Sequence, residues 1–111
     1  MAFHVGESIV VKTGTLDPDF RIDISGWQGR IEEVDDETVF IRWDGITLGE
    51  MRLDLIIRCE NENFDWEVMT LDKADIEVTT ARDSEADVAR IASQLMAEMI
   101  GDPRLNTEED A

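Results

Sequence analysis

Apolar and polar residues alternate most regularly between positions 27 and 43. Trp27, Gly29 and Ile31 fall on one side of the first half, with Gln28, Arg30 and Glu32 on the other; in the second half Val39, Ile41 and Trp43 oppose Phe40 and Arg42. Side chains of a strand point alternately to its two faces, so the pattern predicts strands at 27–34 and 38–43 joined by the acidic turn Asp35-Asp36-Glu37. A β-branched run at 7–12 (ESIVVK) predicts an earlier strand ending at Thr13-Gly14. The intervening segment 15–26 (TLDPDFRIDISG) contains Pro18, ends in Gly26 and has no clean period, which reads as a long loop or irregular hairpin.

Past Asp44-Gly45 the period changes. Met51, Leu55, Ile56 and Cys59 recur at helical spacing and predict a short helix over 50–60, ended by the polar run Glu60-Asn61-Glu62-Asn63. Residues 65–71 (DWEVMTL) read as a strand, 72–74 as a tight turn and 75–79 as a closing strand. The clearest helix spans 84–100, where Val88, Ile91, Ala92, Leu95, Met96, Met99 and Ile100 form one apolar stripe. Asp83 or Ser84 suits its N-cap, Glu85 and Asp87 suit the positive end of its dipole, and Gly101 with Pro103 stops it.

The expected fold is therefore mainly β: a small SH3-like barrel of about five strands with a short inserted helix and a C-terminal α-helix. Gly29, in the G-W-x-G-x-I run at 26–31, would permit a strong bend in such a barrel. Residues 1–104 form one domain in this reading, and 105–111 a frayed acidic tail.

Length and composition agree with one domain. The 111 residues suffice for a core without disulfides, and 42% are apolar. Charge changes the picture: 27 Asp and Glu face 10 Lys and Arg, leaving −17 at pH 7 and a pI near 4.1. Self-repulsion on that scale destabilises the compact state and calls for salt, a bound cation or a basic partner. It argues against nucleic-acid binding, which draws affinity from cationic side chains, and against anionic lipid surfaces. No apolar run spans a bilayer, the N-terminus lacks the regions of a signal peptide, and Cys59 has no disulfide partner, so a cytoplasmic location is expected.

Calcium takes about six to eight hard oxygen ligands from carboxylates, carbonyls and water. Turns rich in Asp can supply all but the water. Two places qualify: Asp17, Asp19 and Asp23 in the first loop, and Asp35, Asp36 and Glu37 in the second turn, with Asp72 and Asp75 expected nearby at one end of a barrel. In so acidic a chain an acidic triplet is unremarkable by itself, and a solvated surface is the plainer reading of each run. No EF-hand loop is present, because Arg21 and Ile22 stand where a ligand and Gly belong after Asp17-x-Asp19. A second patch, Glu60, Glu62 and Asp65 with Asp44, reads as a solvated helix end.

Magnesium, which keeps its waters, and zinc, which would have only His4 and Cys59, fit less well. The chain has no phosphate loop and no nucleophile elbow, so it is not expected to be an enzyme. Trp27, Trp43 and Trp66 all fall in predicted strands and read as core residues, and an absence of tyrosine counts against proline-rich peptide recognition.

The acidic first loop, the W-x-G-x-I strand, IRWDGITLGEM at 41–51, CENENFDW at 59–66 and ARDSEADV at 81–88 together resemble the cyanobacterial calcium-binding protein (CcbP) family over about residues 5–100. That resemblance implies a small acidic protein that binds and buffers cytoplasmic calcium and influences heterocyst differentiation, with the family's acidic turn falling at Asp35–Glu37. The alternative, needing only the net charge, is an acidic interaction module or nucleic-acid mimic that occupies a basic protein.

Overall fold

In the computed structural model, which describes residues 2–105, five strands form one antiparallel sheet. They are Ser8–Val11 (β1), Gln28–Val34 (β2), Thr38–Trp43 (β3), Val68–Asp72 (β4) and Ile76–Thr79 (β5), in the order β4-β3-β2-β1-β5. The alternation read from the sequence sorts the side chains as expected. Ile9, Ile31, Val39, Ile41 and Trp43 are at most 2% exposed, whereas Glu32 and Glu33 face solvent. A bulge between Ile31 and Glu33 shifts the β2–β3 register, so that Ile31 opposes Ile41 but Glu33 opposes Phe40. Such an insertion bends its strand and raises the local twist.

Gly29 sits opposite Trp43, where a Cβ would lie 2.4 Å from the Arg42 carbonyl oxygen. Its role is therefore close approach of two backbones. The sheet is not closed: β4 and β5 are its edges, joined by a single 3-10 turn at Lys73–Asp75 in place of the predicted tight turn. Strand β4 begins at Val68, later than predicted, because the Asp65 carboxylate accepts the Glu67 N–H at 2.9 Å and turns the chain first. Trp66 is thus outside the strand, though buried, and Trp27 precedes β2 and is half-buried.

The predicted helix over 50–60 is two helices, Gly45–Glu50 (α1) and Leu53–Asn61 (α2), separated by extended backbone at Met51 and Arg52. Asp44 caps α1, its carboxylate accepting the Thr47 N–H at 2.7 Å. Glu85–Ile100 (α3) starts from a capping box in which Ser84 and Asp87 each accept the other's backbone N–H. Val88, Ala92 and Met99 are its buried residues, and it packs on α1 and α2. Leu105 packs against the core; the rest of the predicted tail lies outside the described residues. No helix among the described residues is long and apolar enough to cross a membrane.

Candidate functional site

The turn between β2 and β3 is closed by the Asp35 N–H, which donates to the Thr38 carbonyl at 2.9 Å. It meets the β4–β5 connection directly. The Lys73 N–H donates to the Glu37 carbonyl at 2.9 Å, its Nζ donates to the Asp36 carbonyl at 3.0 Å, and Asp72 is the cross-strand partner of Thr38. Asp35, Asp36, Glu37 and Asp72 are all exposed, and the first three line an open recess to which Lys73 also contributes. Among the described residues none of these four carboxylates takes part in a hydrogen bond or ion pair.

The first loop uses its acids differently. Leu16 and Asp23 form an isolated bridge, and beyond it the Asp17 N–H donates to the Ile22 carbonyl at 2.8 Å. The Asp17 carboxylate is only 3% exposed and accepts the Phe20 N–H; its carbonyl accepts the Arg21 N–H at 3.0 Å, with Arg21 at φ 60°. Asp23 accepts both the hydroxyl and the N–H of Ser25, at 2.5 and 2.9 Å. Those bonds, the hydroxyl's first, hold the Asp23 carboxyl below its ordinary value. Short polar side chains that bond neighbouring backbone in this way shape a loop.

Asp19 is exposed, and it lines with Asp17 a cavity against α2 that shares no residue with the recess at Asp35–Glu37. The base of the loop reaches the β4–β5 connection through the Lys12 N–H, which donates to the Asp75 carbonyl at 2.8 Å. The structure therefore brings together Asp35, Asp36, Glu37 and Asp72, and places Asp17 and Asp19 at a different cavity. No three His, Cys, Asp or Glu side chains among the described residues converge closely enough to hold a metal ion as they stand.

The second patch does not form as one unit. Asp44 is buried and bonded to Arg82, Glu62 pairs with Arg58 at 3.2 Å, and Asp65 caps the Glu67 N–H. Sequence reasoning missed the partner of Asp44: Arg82 donates from Nε and Nη2 to its two oxygens, both at 3.0 Å. Beside it Asp83 accepts the Gly45 N–H at 2.6 Å and bonds of Arg30. The signal available in the sequence was the D-x-x-T spacing of Asp44 and Thr47, an N-cap pattern, but nothing local pointed to a residue 38 positions away. Glu67, whose carboxyl is pushed up by burial and then by Asp65, accompanies Arg42 in an ion pair of 3.6 Å.

Comparison with family models, curated proteins and solved structures gave no match.

Proposed function

We propose that this chain is a cytoplasmic calcium-binding protein, a buffer and not an enzyme, with its principal site at Asp35, Asp36, Glu37 and Asp72. One observation carries the reading: the carboxylates of Asp35, Asp36 and Glu37, without an internal partner among the described residues, flank one recess beside the backbone carbonyls of Asp36 and Glu37, and Asp72 lies across from Thr38 at its rim. Each carbonyl has a second lone pair beyond the one Lys73 engages. Exposed Asp and Glu side chains rotate at little cost, and calcium accepts irregular coordination, so binding would draw the carboxylates inward onto the ion. Like charges gathered at a turn repel until a cation neutralises them, which makes binding relieve a cost already present. Lys73 supplies part of that neutralisation internally.

The loop geometry narrows the site further. Asp17 and Asp23 are committed to shaping the first loop, and Asp19 belongs to the cavity against α2. The strand order, the long first connection and the one-turn link before the last strand support an SH3-like barrel as the finer description of the fold.

Calorimetric titration of calcium into chelator-treated protein, at about 150 mM potassium chloride with millimolar magnesium to screen diffuse attraction, tests the proposal. The expected result is saturation at one or two ions. Asp35→Asn with Asp36→Asn should weaken binding at least about tenfold, while Asp19→Asn changes it little. A signal abolished by magnesium, or affinity unaltered in the double variant, refutes the assignment.

A further inference from the structure

A second place combines charge with shape. Between the first loop and α2 lies a cavity of about 380 Å³, within the size range of ligand pockets. Its apolar wall includes Phe20, Phe64, Trp66 and Trp43, and its acids are Asp17, Asp19 and Asp65. Phe20 and Phe64 meet edge to face at 5.4 Å, and Phe64 is 41% exposed. Apolar rings left open beside exposed carboxylates make an amphipathic lining.

A further observation indicates what such a lining accepts. The guanidinium of Arg58 lies 4.1 Å from the centre of the Phe20 ring, so this aromatic surface already holds a cation by its π face.

We propose that this cavity docks a basic, apolar segment of a partner protein. An apolar side chain enters between Phe20, Phe64 and Trp66, and a neighbouring lysine or arginine meets Asp19 and Asp65. The overall charge of −17 steers such a segment toward the molecule, while the cavity selects its apolar anchor. The cavity and the recess at Asp35–Glu37 have no residue in common, so this proposal stands or falls independently of calcium.

The probe is a capped hexapeptide of two leucines flanked on each side by two lysines. Its counterparts replace the leucines by glycine or the lysines by glutamate. Binding is followed by the indole N–H signals of the three tryptophans in a heteronuclear NMR titration, with the protein kept free of calcium. The leucine–lysine peptide should saturate at one per chain, move the indole signals, and bind at least about tenfold more tightly than the glycine–lysine peptide. The leucine–glutamate peptide should not bind.

Asp19→Asn with Asp65→Asn should lower affinity by about fivefold or more, and asparagine at 65 keeps an acceptor for the Glu67 N–H. Glu77→Gln with Glu98→Gln, which removes the same charge from exposed positions on β5 and α3, should change affinity less than about twofold. Equal binding of the leucine and glycine peptides, equal effects of the two double variants, or absence of saturable binding overturns the proposal.

Discussion

Replacing Asp44 by alanine removes the N-cap of α1 and, in the same step, takes from the guanidinium of Arg82 its carboxylate partner, leaving it the Thr47 hydroxyl at 3.0 Å. The carboxylate is buried, accepts the Thr47 N–H at 2.7 Å, and takes two bonds from Arg82 at 3.0 Å each. Loss of the cap costs about 1 kcal/mol. A fully buried pair that loses one partner costs about 3–5 kcal/mol, but the Arg82 side chain retains 30% of its exposure and can turn to water. That reduces the second contribution to about 1–2 kcal/mol, for a total of about 2–3 kcal/mol. Asp44→Asn keeps an acceptor for Thr47 and should cost roughly half as much. Urea unfolding followed by circular dichroism at pH 7 measures both, and a double-mutant cycle with Arg82→Met isolates the coupling.

The pH dependence has a definite sign. Burial pushes the Asp44 carboxyl up, but the bonds from Arg82 and Thr47 outweigh it and leave the folded value below the ordinary one. As pH falls the unfolded chain binds the proton first, so this stabilisation is whole above about pH 4 and is lost as pH falls through the folded pKa. The difference between wild type and Asp44→Asn should therefore narrow toward low pH. A loss under about 1 kcal/mol for the alanine variant at pH 7 would place the pair among ordinary surface ion pairs and refute the reasoning; so would a gap that widens in acid.

Gly29→Ala should destabilise the β2–β3 pairing by about 1–3 kcal/mol, because its Cβ would lie 2.4 Å from the Arg42 carbonyl oxygen and 2.8 Å from Ile41 Cγ2. An unchanged melting temperature would show that the two backbones separate freely. Cys59 is held up to about 11 by burial first and by the Asp17 charge second. Only the thiolate reacts, so a disulfide reagent at pH 8 should modify the native thiol at least about a hundredfold more slowly than the urea-unfolded one. Similar rates in the two states would contradict its burial.

The elements legible in the sequence were those whose local chemistry and tertiary setting agree. The β2–β3 alternation survives into the structure because one face of both strands is buried and the other is wet. Helix α3 begins at the predicted cap, since Ser84 and Asp87 settle that terminus within one turn. Helix α1 was not legible. Gly45 and Gly49 are poor helix formers, and a Cβ at Gly45 would lie 2.7 Å from the Asp83 carboxylate, so a distant segment decides that residue. The candidate carboxylates were legible as a set, but their division was not. Whether an Asp faces solvent or bonds its own loop depends on the turn it occupies, as Asp23 with Ser25 and the unpartnered Asp36 carboxylate show. The cavity against α2 was hidden for the same reason. It joins Phe20 to Phe64 across the loop and the end of a helix whose approach no local pattern encodes.

The open sheet has a consequence for molecules in a crowd. Strands β4 and β5 each carry a row of peptide groups on a side that no other strand among the described residues covers, and such edges are templates for a second copy of the same chain. Repulsion between molecules each carrying −17 opposes that encounter, and Asp72 and Glu77 place charge on the edges themselves. The acid excess thus acts as a colloidal guard for an unfinished sheet. Near pH 4.1, where the net charge vanishes, the guard is withdrawn and strand-to-strand stacking of whole molecules becomes the competing fate.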